Sequence, residues 1–291
     1  MPPDDKRENK GWTRAQKNPT YLAGALTEVE GQRIRWHSPE APASSQVFCI
    51  SAFGKLRSLP DRAAILNRLF AEIVPNIPPA THWDLSFEYV DKDVLGETGL
   101  GTPTNIDVYC VSPRAVVCIE SKFLYDAEEG FGGCGQLSNG DCAGFHGPKS
   151  DRKTGTSTHC RLEIQDGERN PRRYWQLGRA YFDDAVFQGQ KIGDTCPFAT
   201  SNYQLMRNFL FAATTAGDAR QFGVMAMVPE KKGAKVMAQV KAFQEAVLSK
   251  RYRQHINVGA YDALATMLMQ STHQPTVAHG EFLRKRMTTL L

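Results

Sequence analysis

The sequence predicts an α/β fold in which a mixed central sheet is flanked by helices. Residues 59–74 have the apolar spacing of an amphipathic helix, and residues 105–123 have the pattern of two strands joined by a tight turn. Strand and helix patterns alternate again over residues 202–269. A helix before the hairpin and helices after it favour one α/β domain.

The composition is that of an ordinary globular chain. It has 291 residues, of which 41% are hydrophobic and 23% charged, enough for one large domain or a domain with an insertion. No run approaches the length of a membrane span, and the polar N-terminus lacks the apolar segment of a secretory signal, so we expect a cytoplasmic protein. The net charge of +4 permits nucleic-acid binding without requiring it.

The chain before the hairpin is predicted to contain an arm, a helix and a strand. Residues 1–20 are charged and poor in apolar side chains, and we interpret them as a flexible N-terminal arm. The helix covers residues 59–74, with Asp61 as its N-cap, and Pro75 ends it. Residues 83–90 have the pattern of a strand.

Two apolar runs form the hairpin. Residues 105–111 alternate and are rich in β-forming side chains, and Pro113 suits the turn that follows. Residues 115–123 are apolar on both faces, as in a central strand. Such a strand contains Glu120 and Lys122 only where something satisfies their charges, because an unpaired buried charge costs several kcal/mol.

The register of the hairpin determines which acids meet. If Ser112 pairs with Ala115, Asp107 lies opposite Glu120, with Cβ atoms about 5 Å apart on one face. Two such carboxylates repel each other unless a cation lies between them, and Mg²⁺ prefers oxygen ligands of this kind. A slip of one residue would move Asp107 to the other face. The alternative is a surface hairpin in which Glu120 and Lys122 serve only as an ion pair.

Asp107, followed after twelve residues by Glu120-Ser121-Lys122, resembles the signature of the PD-(D/E)XK nuclease superfamily. The residue before Asp107 is isoleucine, where the superfamily's name has proline. The resemblance implies a restriction-endonuclease-like fold in which Asp107 and Glu120 bind Mg²⁺ or Mn²⁺. It also implies that the carbonyl of Ile119 is a further ligand and that Lys122 orients or activates the attacking water.

Members of this superfamily often have an upstream acidic residue that completes the metal site. Three residues compete for that role: Glu72 on the predicted helix, Glu88 on the predicted strand and Glu97 in the glycine-rich segment before Asp107. We favour Glu88, because a strand presents it rigidly beside the hairpin. A solvated carboxylate is the alternative for each of the three.

The seven cysteines fall into two groups. Three lie in apolar runs and are expected to act as small core side chains: Cys49, Cys110 and Cys118. Of the other four, Cys134, Cys142 and Cys160 lie in a glycine-rich insertion at residues 124–169, and Cys196 stands just before Pro197. They predict a structural Zn²⁺ site that organises the insertion, with Cys196, His146 or His159 as the fourth ligand. An iron–sulfur cluster and four free thiols are the alternatives.

A helix is predicted over residues 171–187, with Asn170 as its cap. Arg172, Arg173 and Gln176 stand near its start among aromatic side chains, and we predict that they contact nucleic acid. The alternative is an amphipathic helix that packs its aromatic side chains into the core.

A second predicted helix, at residues 202–214, places Gln204, Arg207 and Asn208 on one face. This face is expected to meet DNA or the rim of the active site. The remaining predicted elements are a strand at 222–228 and helices at 235–248 and 261–269.

These residues predict a Mg²⁺-dependent DNA endonuclease, restriction-like or with a role in defence or repair. It would form a single nuclease domain over residues 21–291, with the metal-organised insertion inside it. Two alternatives stay open: a zinc-organised nucleic-acid-binding module without catalysis, and an exonuclease or ribonuclease on the same core. The expected partner is DNA and not a membrane, and a homodimer is an open possibility.

Overall fold

A five-stranded mixed sheet forms the centre of the molecule, as the sequence predicts. The computed structural model describes residues 5–17, 24–32, 43–98, 103–134, 172–187, 197–198 and 201–291, together with residues 34, 36, 39 and 41. The strands are β1 (Asp84–Tyr89), β2 (Ile106–Val111), β3 (Ala115–Ser121), β4 (Gln221–Val228) and β5 (Ile256–Ala260), and they lie in this order across the sheet. The first three are antiparallel, whereas β3, β4 and β5 run parallel.

Helices cover both faces of this sheet. Those of the described part of the chain are α1 (Asp5–Gln16), α2 (Ala25–Val29), α3 (Ser45–Cys49), α4 (Arg62–Ile73), α5 (Tyr125–Glu129), α6 (Tyr174–Gly178), α7 (Tyr203–Ala216), α8 (Ala234–Ala246), α9 (Tyr261–Met269) and α10 (Gln274–Leu290). A π-helical turn, Ile50–Gly54, continues α3. None of the helices in the described ranges is long and apolar enough to cross a membrane.

Strand β3 is the centre of the core, and all seven of its residues are buried. Its side chains alternate between two apolar clusters, as a strand requires. Val117 and Ile119 pack on the side of α4 and α9, and Val116 and Cys118 pack on the side of α7 and α8. A strand that is covered on both faces has a continuous apolar sequence, which explains the pattern of residues 115–123.

Several predicted elements match the structure closely. Helix α9 has the predicted bounds, and α4 begins after Asp61, the predicted cap. The carboxylate of Asp61 makes no capping bond to the helix. It accepts hydrogen bonds from the hydroxyls of Ser271 and Thr276 instead, at 2.5 Å each.

The predicted helix over residues 171–187 is wrong. Helix α6 ends at Gly178, and the chain then turns into a short 3₁₀ segment, Asp184–Val186. The ring of Phe182 lies so close to Gly178 that a Cβ there would stand 2.4 Å from it. The chain reverses around this contact, and Phe182 forms an isolated bridge with Leu248. Tertiary packing therefore overrides the helical periodicity of the segment.

The N-terminal segment that we interpret as an arm contains helix α1 at residues 5–16. Ala15 on this helix is buried in the core. Trp12 packs against the same core, so two apolar residues in a polar segment provide the contact, and the composition of the segment did not indicate it.

The cysteines are only partly covered by the structure. Cys49, Cys110 and Cys118 are buried in the core, as predicted. Cys134 is a free, partly exposed thiol whose backbone N–H bonds to the carbonyl of Phe198. Its predicted partners lie outside the described residues, so the zinc site stays a prediction: Cys142, Cys160, Cys196, His146 and His159.

A buried histidine makes the stability of this core depend on pH. His279 on α10 is 2% exposed, and its Nε2 lies 2.7 Å from the carbonyl oxygen of Ala52. Burial lowers the pKa of His279 from 6.5 to about 4; the bond to Ala52 opposes this shift, and the charge of Lys55 adds to it. The unfolded chain therefore binds a proton between these pH values that the folded chain does not.

We expect the free energy of unfolding to decrease as the pH falls from about 6.5 to about 4, with a contribution from His279 of roughly 3 kcal/mol. His279→Gln keeps an N–H donor for the Ala52 carbonyl but cannot take up the proton. Urea unfolding at pH 7 and pH 5 should show a loss of stability that is about 2 kcal/mol smaller for this variant than for the wild type. Equal losses would show that His279 does not titrate in this range.

Candidate active site

The β2–β3 hairpin brings the predicted acids to one end of the sheet. The N–H of Ser112 bonds to the carbonyl of Ala115 at 2.9 Å, and Val108 pairs with Ile119. Continuing this register by one residue places Asp107 opposite Glu120. The predicted register is therefore confirmed, and the two carboxylates lie on the same side of the sheet.

Asp107 is a partly exposed carboxylate in a strongly negative environment. One of its oxygens, Oδ2, accepts the backbone N–H of Ser121 at 2.7 Å. Burial raises the pKa of Asp107, and repulsion from Glu120 and Glu88 raises it further. Lys122 and the N–H of Ser121 offset only part of this shift. Three acids therefore compete for compensating positive charge at this place.

Glu120 is held on both of its oxygens by side chains of α7 and by the neighbouring lysine. It is 2% exposed. Oε1 accepts from Nε2 of Gln204 at 2.5 Å and lies 3.0 Å from Nζ of Lys122. Oε2 accepts from Nδ2 of Asn208 at 2.8 Å. The face of α7 that carries Gln204 and Asn208 thus meets the rim of the site, one of the two outcomes predicted for it.

Lys122 follows the last residue of β3 and points into the same cluster. Its Nζ donates to Oε1 of Gln204 at 2.9 Å and lies 5.2 Å from the centre of the Phe131 ring. Burial lowers the pKa of Lys122, but the charges of Glu120 and Asp107 outweigh it, so the net pKa is raised. The side chain is therefore a protonated cation at neutral pH.

Of the three upstream acids, Glu88 is the one whose charge raises the pKa of Asp107. It is buried on β1, at 6% exposure, and its backbone has a left-handed φ of 49°. Its carboxylate accepts a hydrogen bond from the amide of Asn105. Such a φ is unusual for a residue with a side chain and is often retained where function needs it.

The other two upstream acids lie elsewhere. Glu72 is exposed on α4. Glu97 is fully buried, and its carboxylate accepts the N–H and hydroxyl of Thr104 at 2.7 and 2.9 Å. It also accepts from the hydroxyl of Tyr174 and lies 3.2 Å from the guanidinium of Arg207. Its partners are Thr104, Tyr174 and Arg207, whereas the acids that raise the pKa of Asp107 are Glu120 and Glu88, so we do not assign Glu97 to a metal.

The oxygen atoms at the site suit a hard cation in their chemistry. No cluster of three His, Cys, Asp or Glu side chains that could hold a metal ion is preformed in the described parts of the chain. Asn105 nevertheless carries a buried amide oxygen, Oδ1, with no hydrogen-bond partner. That oxygen belongs to the amide that bonds to Glu88, two residues before Asp107. An unsatisfied oxygen beside mutually repelling carboxylates is a set that a divalent ion satisfies.

Ile119, whose carbonyl is a predicted metal ligand, lies inside β3, where the strand is paired on both sides, with Val108 of β2 and Met225 of β4.

Asn105 is the site residue that sequence reasoning missed. Its only signal was its place at the start of the β2 pattern, two residues before Asp107, where alternation puts both side chains on one face.

The basic residues predicted to bind nucleic acid have different environments. Arg172 is partly exposed, and Gln176 is exposed on α6. The guanidinium of Arg173 donates to the carbonyl of Val94 at 2.8 Å, and Arg207 is paired with buried Glu97. The contacts of Arg173 and Arg207 are therefore internal, and those two side chains brace the loop before β2.

We expect Arg207→Gln to lower the free energy of unfolding by about 2 kcal/mol, because buried Glu97 loses a charged partner. Arg172→Gln should leave stability within about 0.5 kcal/mol of the wild type. The affinity for DNA should fall for the Arg172 variant and stay near the wild-type value for the Arg207 variant. Denaturant unfolding and a salt titration of DNA binding measure both effects. A stable Arg207 variant with a flattened salt dependence would instead place Arg207 on the DNA surface.

Comparison with known proteins identifies one family. The family described as "restriction endonuclease associating with ARP" matches residues 18–286, which is most of the chain. No curated protein and no solved structure matches the sequence.

Proposed function

The chain belongs to the family of restriction endonucleases associating with ARP, and from this premise we propose that it is a Mg²⁺-dependent deoxyribonuclease that hydrolyses phosphodiester bonds. The family is restriction-endonuclease-like, and the mixed sheet with flanking helices agrees with such a fold. We interpret residues 21–291 as one nuclease domain and take the protein to be cytoplasmic.

One observation carries the proposal: Asp107, Glu120 and Lys122 meet at the open end of the β2–β3 hairpin, opposite the turn. Glu120 lies 3.0 Å from the ammonium of Lys122, and both acids act on the pKa of that lysine. A buried ion pair of purely structural function needs one acid. The further carboxylates of Asp107 and Glu88 crowd this pair and raise the pKa of Asp107, and a cluster of acids is what a phosphodiesterase uses to hold cations.

The roles of the side chains follow from this arrangement. Asp107 and Glu120 would hold the metal, with Glu88, the Asn105 oxygen and the Ile119 carbonyl as further candidates. When bound, Mg²⁺ or Mn²⁺ would polarise the scissile phosphate and lower the pKa of the water that attacks it.

Lys122 is expected to act as a cation and not as a base. Its raised pKa keeps the ammonium protonated, so it can orient the water and offset negative charge that develops on the phosphate. Gln204 accepts from Lys122 and donates to Glu120, so it fixes the distance between the two. Asn208 holds the second oxygen of Glu120 and keeps the carboxylate from rotating.

A cleavage assay tests the function. Supercoiled plasmid incubated with the protein and Mg²⁺ should be nicked or linearised, and EDTA should stop the reaction. Linear DNA and RNA substrates in parallel distinguish an endonuclease from an exonuclease and from a ribonuclease on the same core. If the metal-loaded protein binds DNA but cleaves none of these substrates, the binding-module alternative is correct.

The cysteines give a separate proposal. We expect metal analysis of the purified protein to find about one zinc per chain, held by at least three of Cys134, Cys142, Cys160 and Cys196. Replacing Cys142 and Cys160 by serine should remove the zinc, whereas replacing buried Cys110 by serine should not. A brown protein that absorbs near 400 nm, or a metal-free one, would contradict the zinc assignment.

A further inference from the structure

An exposed tyrosine lies three residues after the candidate catalytic lysine. Tyr125, the first residue of α5, is 71% exposed. Val90 and Met237 are the other exposed large apolar side chains of the described residues, at 41% and 50%. The ring of Tyr125 is therefore open to a ligand that reaches the candidate active site.

The backbone around Tyr125 is fixed on both sides. The N–H of Phe123 bonds to the hydroxyl of Ser45 at 2.8 Å, and the same hydroxyl bonds to the carboxylate of Asp126. Ala127 on the inner side of α5 is fully buried. The segment therefore docks against the body of the protein and leaves Tyr125 pointing outward.

The end of the segment is held as firmly as its start. The side-chain amide of Gln239 accepts from the N–H of Phe131 at 2.7 Å and donates to its carbonyl at 2.9 Å. Phe131 is the residue whose ring lies under the ammonium of Lys122. Gln239 therefore holds both the end of the segment that carries Tyr125 and the residue whose ring contacts Lys122.

The backbone of Leu124, between Lys122 and Tyr125, is strained. Its φ of 49° and ψ of −114° lie in a region that residues with side chains rarely adopt. Strain of this kind costs about 1–3 kcal/mol and persists where the surrounding structure imposes it. Here it turns the chain between Lys122 and Tyr125, so the outward position of the ring is built into the fold.

One of the acidic neighbours of Tyr125, Glu128, is neutralised by a lysine. Asp126 is bonded to Ser45, and Glu128 forms an ion pair with Lys232. Glu129 lies at the far end of α5. Tyr125 follows Lys122 by three residues, so their Cα atoms lie within about 11 Å of each other. Stacking of a ring on a base is a contact between π-faces and does not need a positive charge beside the ring.

We propose that Tyr125 stacks on an unpaired base of the DNA substrate, next to the phosphate that Lys122 faces. This inference rests on the proposed function. A flat ring presented to solvent can pair with any base face, and such stacking does not require a particular sequence. Bases in a duplex already have both faces covered, so the ring selects DNA that is single-stranded or locally opened at the site of cleavage.

The experiment uses the full chain and short single-stranded oligonucleotides that carry one 2-aminopurine, in Ca²⁺ so that binding is measured without Mg²⁺. Wild type and Tyr125→Phe should quench the fluorescent base, and Tyr125→Ala should not. Tyr125→Ala should bind the single strand about 10-fold more weakly, with little change for duplex DNA. Met237→Ala is the matched control, because it removes another exposed apolar side chain.

Cleavage kinetics separate this inference from the proposed function. With Mg²⁺, Tyr125→Ala should raise KM and leave kcat near the wild-type value, and Tyr125→Phe should restore KM. A wild type that quenches 2-aminopurine but never cleaves would support the stacking and overturn the nuclease. A Tyr125→Ala variant that quenches and binds as the wild type does would overturn the stacking and leave the nuclease intact. Failure of the wild type to bind single-stranded DNA would also overturn the stacking.

Discussion

Lys122→Ala should reduce the rate of DNA cleavage by about 10²- to 10³-fold at saturating DNA. Its ammonium lies 3.0 Å from Glu120 and is kept protonated by the surrounding carboxylates. We assign it an interaction that strengthens as charge develops on the phosphate, so its loss should act on kcat more than on binding. Single-turnover cleavage in Mg²⁺ measures the rate, and binding in Ca²⁺ measures the affinity.

The matched control for this variant is Lys232→Ala. Lys232 also pairs with a glutamate, Glu128, but on the surface and outside the cluster of acids. It should cleave at nearly the wild-type rate. In the Lys122 variant, Gln204 and Asn208 still hold Glu120, so folding should be retained. Cleavage at the wild-type rate by folded Lys122→Ala would mean that this lysine is structural.

Asp107→Asn should abolish cleavage, with a loss of about 10³-fold or more, and should weaken the binding of Mg²⁺. The amide keeps an oxygen that can accept the N–H of Ser121, so the hairpin should remain intact. It removes the charge that we assign to the metal. A bound ion stabilises a folded protein by about 2.7 kcal/mol at 100 times its Kd, so Mg²⁺ should raise the unfolding temperature of the wild type. The variant should lose this increase.

Asp84→Asn is the matched control for Asp107→Asn. Asp84 is an exposed carboxylate on β1 that pairs with His82, at the opposite end of the strand from Glu88. It should keep both the cleavage and the Mg²⁺-dependent rise in unfolding temperature. If Asp107→Asn is stabilised by Mg²⁺ as much as the wild type is, the metal binds elsewhere.

The sequence predicted the part of the site that depends on local rules. The hairpin pattern and Pro113 determine the register, and the register places Asp107 opposite Glu120 without knowledge of the rest of the fold. The spacing of Gln204 and Asn208 on α7 likewise predicted their shared face. Period-2 and period-3.6 patterns are properties of neighbouring residues, so they are visible before folding.

The parts that the sequence did not reveal depend on contacts between distant segments. The helix expected after residue 171 stops early because Phe182 packs onto Gly178 and then bridges to Leu248. Strand β5 is short and gains its stability from pairing with β4, and its own pattern is weak. The pairing of Arg207 with Glu97, 110 positions earlier in the chain, gives a residue predicted to contact DNA a partner inside the protein.

The central claim is that Asp107 and Glu120 hold the metal ion that DNA hydrolysis needs. A crystal of the protein soaked in Mn²⁺ tests it directly, because the anomalous signal locates the ion without reference to activity. We predict a peak within coordination distance of carboxylate oxygens from both residues, with Lys122 beside it. An ordered hairpin with no peak at these acids, or a peak held by other residues, would contradict the account.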